Sequence, residues 1–416
     1  MGTLSRLRSY VKRRVPAAGK AVLEPIRRFV VGPGIEESVL RPYVFEAEWS
    51  EAPRISLVIP GISAKTAFGG VSTGVRLFEH LADELGVDRR IVVEHPYSPD
   101  DSIANDSVPV HDLARSDWRL PTRRREIFIA FNWWTALNIR SVLSAQSLQF
   151  EQDVLPRVYL LQEYEPQLYP FSSAHELARS ALDSGELPLW VIFNSLELES
   201  YYRLQGHRAD RSFAFAPRMS RSLARAVPAL SRDRKTKTVI VYGRPHVARN
   251  CFSIAVMALQ RWATDNPGRA DWRFVSAGQP HRDIDLGGGH VLHSVGKLTL
   301  DEYADLLSTS SVGLSLMSSP HPSYPPLEMA HFGVRTITND YCSKSMTDWH
   351  PNLVVAPSLD PVHLASTLAT VIASEDQTLG RGVDQLSASN DYLEGEEFSC
   401  SEELVAALGP LLGLSG

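Results

Sequence analysis

From Arg54 onward, short apolar runs alternate with polar, Gly- or Pro-rich loops and stretches of helical periodicity. The first half of the chain carries such runs at Ile55–Ile59, Ile91–Val93, Ile127–Phe131, Val158–Leu161 and Trp190–Phe193. A polar stretch, Ser231–Lys237 (SRDRKTK), interrupts the rhythm. It resumes at Thr238–Tyr242, Trp272–Ala277, Val291–His293, Val312–Met317, Val334–Thr338 and Leu353–Ala356. Runs this short, rich in Val and Ile and separated by helices, predict buried parallel strands. Two such blocks predict an α/β chain with two doubly wound, Rossmann-like domains facing across a cleft. The expected boundaries are a basic arm over residues 1–45, a first domain over 46–232, a second over 233–385 and a helical tail over 386–416. In open parallel sheets ligands collect beyond the carboxyl ends of the strands, so the loops after these runs hold the candidate chemistry.

A length of 416 residues agrees with two domains. With 44% apolar and 22% charged residues the composition excludes a wholly disordered chain. No uninterrupted apolar stretch is long enough to span a bilayer. Cys251, Cys342 and Cys400 are far apart and form no CxxC pair, which predicts reduced thiols packed as small hydrophobes in a cytoplasmic protein.

Charge changes the picture at one end. Residues 1–31 carry eight basic side chains against Glu24, a net +7 in a chain whose total is −6, leaving −13 to the rest. That acidic body argues against a nucleic-acid partner. The arm lacks the apolar core of a secretory signal, and Arg6 stands where myristoylation wants Ser or Thr. Leu4, Leu7, Val11 and Val15 recur at helical spacing. Peripheral contact with anionic lipid on the inner face of the plasma membrane is therefore expected, the alternative being a solvated or packed arm.

Four loops carry candidate chemistry. Pro60–Gly74 (PGISAKTAFGGVSTG) leads into a helix with an apolar stripe at Val71, Val75, Phe78, Leu81 and Leu85. Gly69 and Gly70 would let a pyrophosphate, or the sugar beside it, approach the helix N-terminus; paired glycines also simply turn a chain. In TVIVYGRPHVARNCF a strand ends at Tyr242, and Arg244 and Arg249 follow Gly243. Two guanidiniums there could clamp a diphosphate, or one could pair with a carboxylate. In VGKLTLDEYADLL, Lys297 follows a strand-end glycine as a further phosphate ligand or a solvated side chain, and Thr299 is a helix cap. In MSSPHPSYPPLEMAHFG the prolines enforce an extended loop and then a helix start, which brings Ser323, Tyr324 and Glu328 to a helix N-terminus. Glu328 could accept hydrogen bonds from ribose hydroxyls or compensate the helix dipole.

These motifs carry a resemblance. YGRP…RN, GKLTLDEYADLL and PPLEMAHFG follow in the order and spacing of the retaining GT-B glycosyltransferases of the glycogen-synthase-like class. The stretches IPGISAKTAFGGVSTGVRLFEHLADELG, YLLQEYEPQLYPFSSAHELARSAL and SPHPSYPPLEMAHFG resemble, more closely, bacterial rhamnosyltransferases of the WsaF type, over roughly residues 50–385. The resemblance implies a nucleotide-sugar donor in the second domain, with Arg244 and Lys297 on its diphosphate, Tyr324 at the nucleotide and Glu328 on the ribose. It implies a glycan or lipid-linked oligosaccharide acceptor in the first domain, and a place in surface-polysaccharide or O-antigen biosynthesis. One departure stands out: the broad class carries two glutamates eight positions apart, and where the first belongs this chain has Pro320. A 6-deoxy sugar such as rhamnose, from dTDP-rhamnose, is compatible with that change.

On the acceptor side, FNWWT and LQEYEPQLY end two first-domain strands. Trp133, Trp134 and Tyr164 could stack on sugar rings or pack in the core, and Glu163 or Glu165 could bind hydroxyls or act as base. Asp283-Ile284-Asp285 matches DxD only formally, and no metal is expected: fixed positive charge takes the place of a cation. The expected activity is transfer of a deoxyhexose with retention. The rival reading is a degenerate glycan-binding subunit that has lost catalysis with the missing glutamate. A nicotinamide dehydrogenase would need GxGxxG, which is lacking.

Overall fold

The computed structural model describes residues 39–64, 69–227, 234–379 and 391–414. The basic stretch 1–31, and with it the membrane contact assigned to it, lies outside the described residues.

Every apolar run predicted from the sequence forms a strand. The first domain is built on a seven-stranded, wholly parallel sheet in the order β4-β3-β2-β6-β7-β8-β9. Its members are β2 (Arg54–Ile59), β3 (Asp88–Val93), β4 (Val110–Asp112), β6 (Glu126–Ala130), β7 (Arg157–Leu161), β8 (Leu189–Phe193) and β9 (Arg211–Ala214). A separate parallel pair joins β1 (Val44–Ala47) to β5 (Arg119–Thr122). The central strands β2, β6, β7 and β8 are buried along their whole length, as expected where helices cover both faces.

The second sheet has the order β12-β13-β11-β10-β14-β15-β16. Here β10 is Thr236–Gly243, β11 Arg273–Gly278, β12 Ile284–Gly287, β13 His290–Gly296, β14 Ser310–Leu314, β15 Arg335–Thr338 and β16 Leu353–Val355. All pairs are parallel except β12 with β13. Helices Phe252–Asp265 and Pro361–Thr378 bury Ala258, Leu259, Trp262, Leu368 and Ile372 with Val239, Val241 and Phe274 of the sheet.

The end of the chain returns to the first domain. Helix Ser401–Leu411 places Leu404 and Leu408 in the same cluster as Leu57, Phe78 and Leu81, with Phe398, Cys400 and Leu412 beside them. The C-terminal segment thus completes the core of the domain that the chain left nearly two hundred residues earlier. Burial of several large apolar side chains of this kind contributes about 1.5–3 kcal/mol each. No described helix is long and apolar enough to cross a membrane. The three cysteines are unpaired; Cys400 is buried as expected, but Cys342 is exposed in the turn between Tyr341 and Lys344.

Candidate functional site

Because β10, β11, β13 and β14 are parallel and in register near their ends, Gly243, Gly278, Gly296 and Leu314 finish on one edge of the second sheet. The loops leaving that edge meet the first domain at the carboxyl end of β7 and at helix Gly69–Leu85. The carboxyl edges of the two sheets therefore confront each other, which is where open α/β sheets bind ligands.

Arg244 leaves β10 directly and lies beside Tyr242, whose phenol is raised by burial while the guanidinium pulls it back. Lys297 follows Gly296, a left-handed residue at φ 68°, and is exposed. Thr299 caps the next helix as expected, in a reciprocal box: its hydroxyl accepts from Glu302 N–H at 3.3 Å, and Glu302 accepts from Thr299 N–H at 2.8 Å. That helix, Leu300–Thr309, brings the Tyr303 phenol against Glu328. Burial pushes the Glu328 carboxyl up to about 7, and Tyr303 offsets part of the shift by favouring the charged form.

The strand β14 stops three residues short of the predicted end. Side chains replace the sheet partners of Met317: its N–H donates to Asn339 Oδ1 at 2.8 Å, and its carbonyl accepts from Asn339 Nδ2 at 3.1 Å and Lys344 Nζ at 3.0 Å. Lys344 is 1% exposed. Burial lowers its ammonium to about 8, against the opposing pull of Glu163 and Asp340. Beyond Met317 the loop turns at Ser323, which holds φ 72° and ψ 140°, a region that glycine favours. Tyr324 then opens helix Tyr324–His331. Pro325 and Pro326 lack N–H groups, and the Ser323 N–H is donated to His321 Nδ1 at 3.0 Å. The first turn thus lacks the full set of N–H donors that makes an anion nest. Burial pushes the Tyr324 phenol up to about 12, and Thr73 of the first domain lies beside its hydroxyl.

Glu163 joins the two edges. Its Oε2 accepts from the Ser319 hydroxyl at 2.6 Å, and its Oε1 lies 3.2 Å from Arg249 Nε. Of the two roles open to Arg249, the structure shows the ion pair, with a carboxylate of the opposite domain rather than of its own surface. Gly69 and Gly70 begin the first-domain helix nearby; a Cβ on Gly70 would lie 3.1 Å from Gln162 Oε1, so glycine lets the helix start against the residue preceding Glu163.

Of the acceptor-side aromatic residues, Trp133 and Tyr164 take the packing alternative. Trp133, 2% exposed, donates from Nε1 to the Tyr169 hydroxyl at 2.9 Å. Tyr164, 5% exposed, bonds His207 Nε2 at 2.9 Å. Neither ring presents a face to a sugar, because both fill the core beneath β7 and β8. Glu165 is likewise enclosed; it accepts the Trp133 N–H at 2.7 Å and so caps a helix, and burial pushes its carboxyl up to about 8. Trp134 is only partly buried, with its Nε1 donating to Glu94 Oε2 at 2.7 Å. Glu94, which the sequence did not single out, also accepts from Tyr43 at 2.8 Å and Asn138 at 3.1 Å. Among the described residues no three His, Cys, Asp or Glu side chains gather where they could hold a metal ion. Asp283 instead accepts from His293 and the Ser294 N–H at a surface turn.

With this geometry in view, residues 54–196 match the family described as WsaF, N-terminal domain, and residues 237–369 match WsaF, C-terminal domain. The two matches fall in order on the two sheets. The chain belongs to the WsaF family of GT-B glycosyltransferases. The O-antigen biosynthesis protein RfbC of Myxococcus xanthus is 28% identical to this WsaF-family chain over 184 residues, 44% of the chain but 14% of the length of RfbC. The GT-B fold recurs in solved structures. HepE of Anabaena, in complex with UDP and glucose, matches 87% of this chain and 98% of its own with TM-score 0.54 at 11% identity. WaaG, a glycosyltransferase involved in lipopolysaccharide biosynthesis, matches 85% and 99% with TM-score 0.53 at 12% identity. At such identities the likeness carries the fold alone.

Proposed function

We propose that this WsaF-family protein transfers a sugar from a nucleoside-diphosphate donor to a glycan or lipid-linked oligosaccharide in the making of a cell-surface polysaccharide. What supports the proposal is that Arg244 and Lys297 follow strand ends on one edge of the second sheet, while Glu328 acts electrostatically on both Tyr242, beside Arg244, and Tyr324, which faces the first domain. Charge accumulates on the departing diphosphate as the glycosidic bond breaks. Arg244 and Lys297 neutralise it, aided by the Tyr324 N–H and Ser323 hydroxyl at a helix start, with no need for a divalent cation. Glu328 takes the ribose hydroxyls, and Tyr324 lines the nucleotide. Gly69 and Gly70 let the first-domain helix approach the donor closely. Arg249 joins the phosphate-binding set once it leaves Glu163.

The donor we assign is a deoxyhexose nucleotide, dTDP-rhamnose, transferred with retention. Pro320 in place of the first glutamate, which leaves one fewer carboxylate for sugar hydroxyls, supports that choice. Glu163 is the first-domain carboxylate nearest the donor loops and is the candidate to contact the acceptor hydroxyl. Trp134 and Glu94 lie on the first-domain edge toward the acceptor.

Incubating the protein with dTDP-rhamnose and a rhamnosyl primer tests the proposal: a product longer by one sugar is expected. Neither transfer nor donor hydrolysis with any of dTDP-, UDP- and GDP-sugars would overturn it and leave the glycan-binding reading.

A further inference from the structure

His321 has no catalytic assignment above, yet its surroundings are unusual. The imidazole is 3% exposed. Its Nδ1 receives the Ser323 N–H at 3.0 Å, and a backbone N–H can only donate. Nδ1 therefore carries no proton, and the proton of the neutral ring sits on Nε2. Burial, with Lys344 and Arg249 nearby, lowers the ring's pKa to about 3, so it stays neutral at any working pH. The Nε2–H is enclosed and has no acceptor among the described residues. Leaving a buried donor unsatisfied is costly, and proteins seldom do so without reason.

The loop is built to keep the ring in place. Ser323 holds its strained backbone against His321, the His321 N–H bonds the Ser319 hydroxyl at 3.2 Å, and that hydroxyl in turn reaches Glu163 across the cleft. The Tyr324 ring closes the other side, its centroid 5.5 Å from the imidazole. His321 thus lies between Tyr324, assigned to the nucleotide, and Glu163, the nearest first-domain carboxylate. On the glycosyltransferase reading, a sugar held between its diphosphate and its acceptor passes this loop.

We propose that His321 reads the transferred sugar, its Nε2–H donating a hydrogen bond to a hydroxyl of the donor's hexose. The inference rests on the glycosyltransferase reading and adds to it a specificity-determining residue. A neutral donor makes a different demand from a carboxylate: it wants an acceptor oxygen and tolerates the neighbouring cations Arg249 and Lys344.

Two substitutions separate this role from loop support. In His321→Asn the amide oxygen can still accept the Ser323 N–H, but no donor remains at Nε2. In His321→Gln a donor is kept near that point. Calorimetry with dTDP-rhamnose, UDP-glucose and GDP-mannose, each against its free nucleoside diphosphate, gives the readout for the pair that wild type binds best. His321→Asn should bind the free diphosphate like wild type and the sugar nucleotide about tenfold more weakly, with His321→Gln recovering most of the loss. Equal weakening toward both ligands, or none toward either, overturns the assignment while leaving the glycosyltransferase reading intact. Failure of wild type to bind any nucleoside diphosphate removes both. Should His321→Asn not fold, sugar-nucleotide affinity in His321→Gln falling to that of the free diphosphate would equally overturn the proposal.

Discussion

Glu163, at the end of β7 in the first domain, lies 3.2 Å from Arg249 of the second. In the proposed donor site the carboxylate occupies a guanidinium that would otherwise be open to a diphosphate. Both side chains keep some solvent contact, so the pair that the proposed diphosphate would displace is worth no more than about 1 kcal/mol. Glu163→Gln should accordingly tighten binding of a free nucleoside diphosphate about two- to fivefold while lowering sugar transfer. Calorimetry together with a transfer assay checks this, and weaker binding by the variant would contradict it.

Glu328 gives a pH dependence with a definite sign. Its folded pKa of about 7 exceeds the ordinary carboxyl value of 4.5. The folded chain holds this proton more tightly than the unfolded one, so the group's stabilising contribution is full below about 4.5 and is lost as pH rises through about 7. The ionised form binds ribose hydroxyls best, so nucleotide affinity should rise over the same range. Glu328→Gln should flatten both trends: relative to wild type it gains about 1–3 kcal/mol between pH 4.5 and 7.5, and its nucleotide binding is weaker and insensitive to pH. Chemical denaturation and calorimetry at several pH values measure the two effects.

Ser323 holds a conformation that costs a non-glycine residue about 1–3 kcal/mol. Ser323→Gly removes the strain but adds chain entropy in the unfolded state, for a net gain of about 1 kcal/mol. A small rise in Tm is expected, with poorer sugar transfer because the loop that positions His321 loosens. Thermal unfolding and kcat report the two sides.

Much of the fold was legible because buried parallel strands read as continuous Val- and Ile-rich runs, as in Ile55–Ile59 and Val158–Leu161. The edge strands Val110–Asp112 and Arg211–Ala214 escaped notice: short, partly exposed and polar, they carry no such signal. Arg244 and Lys297 stood out as candidates because each directly follows a strand and a glycine. The aromatic residues of FNWWT and LQEYEPQLY were ambiguous, since burial depends on partners such as Tyr169 and His207 that lie elsewhere in the sequence. Lys344 was missed for the same reason: only the folded loop encloses it and sets its charge. The Glu163–Arg249 pair joins different domains, so no local pattern could announce it.

Gly278 supports Arg244 from the neighbouring strand. At φ 144°, an added Cβ would collide with the Gly243 carbonyl and lie 3.3 Å from Arg244 Cγ. Gly278→Ala should cost about 2–4 kcal/mol through backbone strain and overpacking. It should also weaken nucleotide binding by displacing Arg244. Equilibrium unfolding and calorimetry measure both, and a variant of unchanged stability would contradict the close approach.

On the proposed reading, one edge of the second sheet binds a nucleoside diphosphate through Arg244. Titration calorimetry of dTDP, UDP and GDP into wild type and Arg244→Ala tests it most directly. Wild type should bind at least one of the three, and Arg244→Ala, still folded by circular dichroism, should bind it at least about tenfold more weakly. Equal binding by the two proteins, or binding of none of the three by wild type, would contradict it.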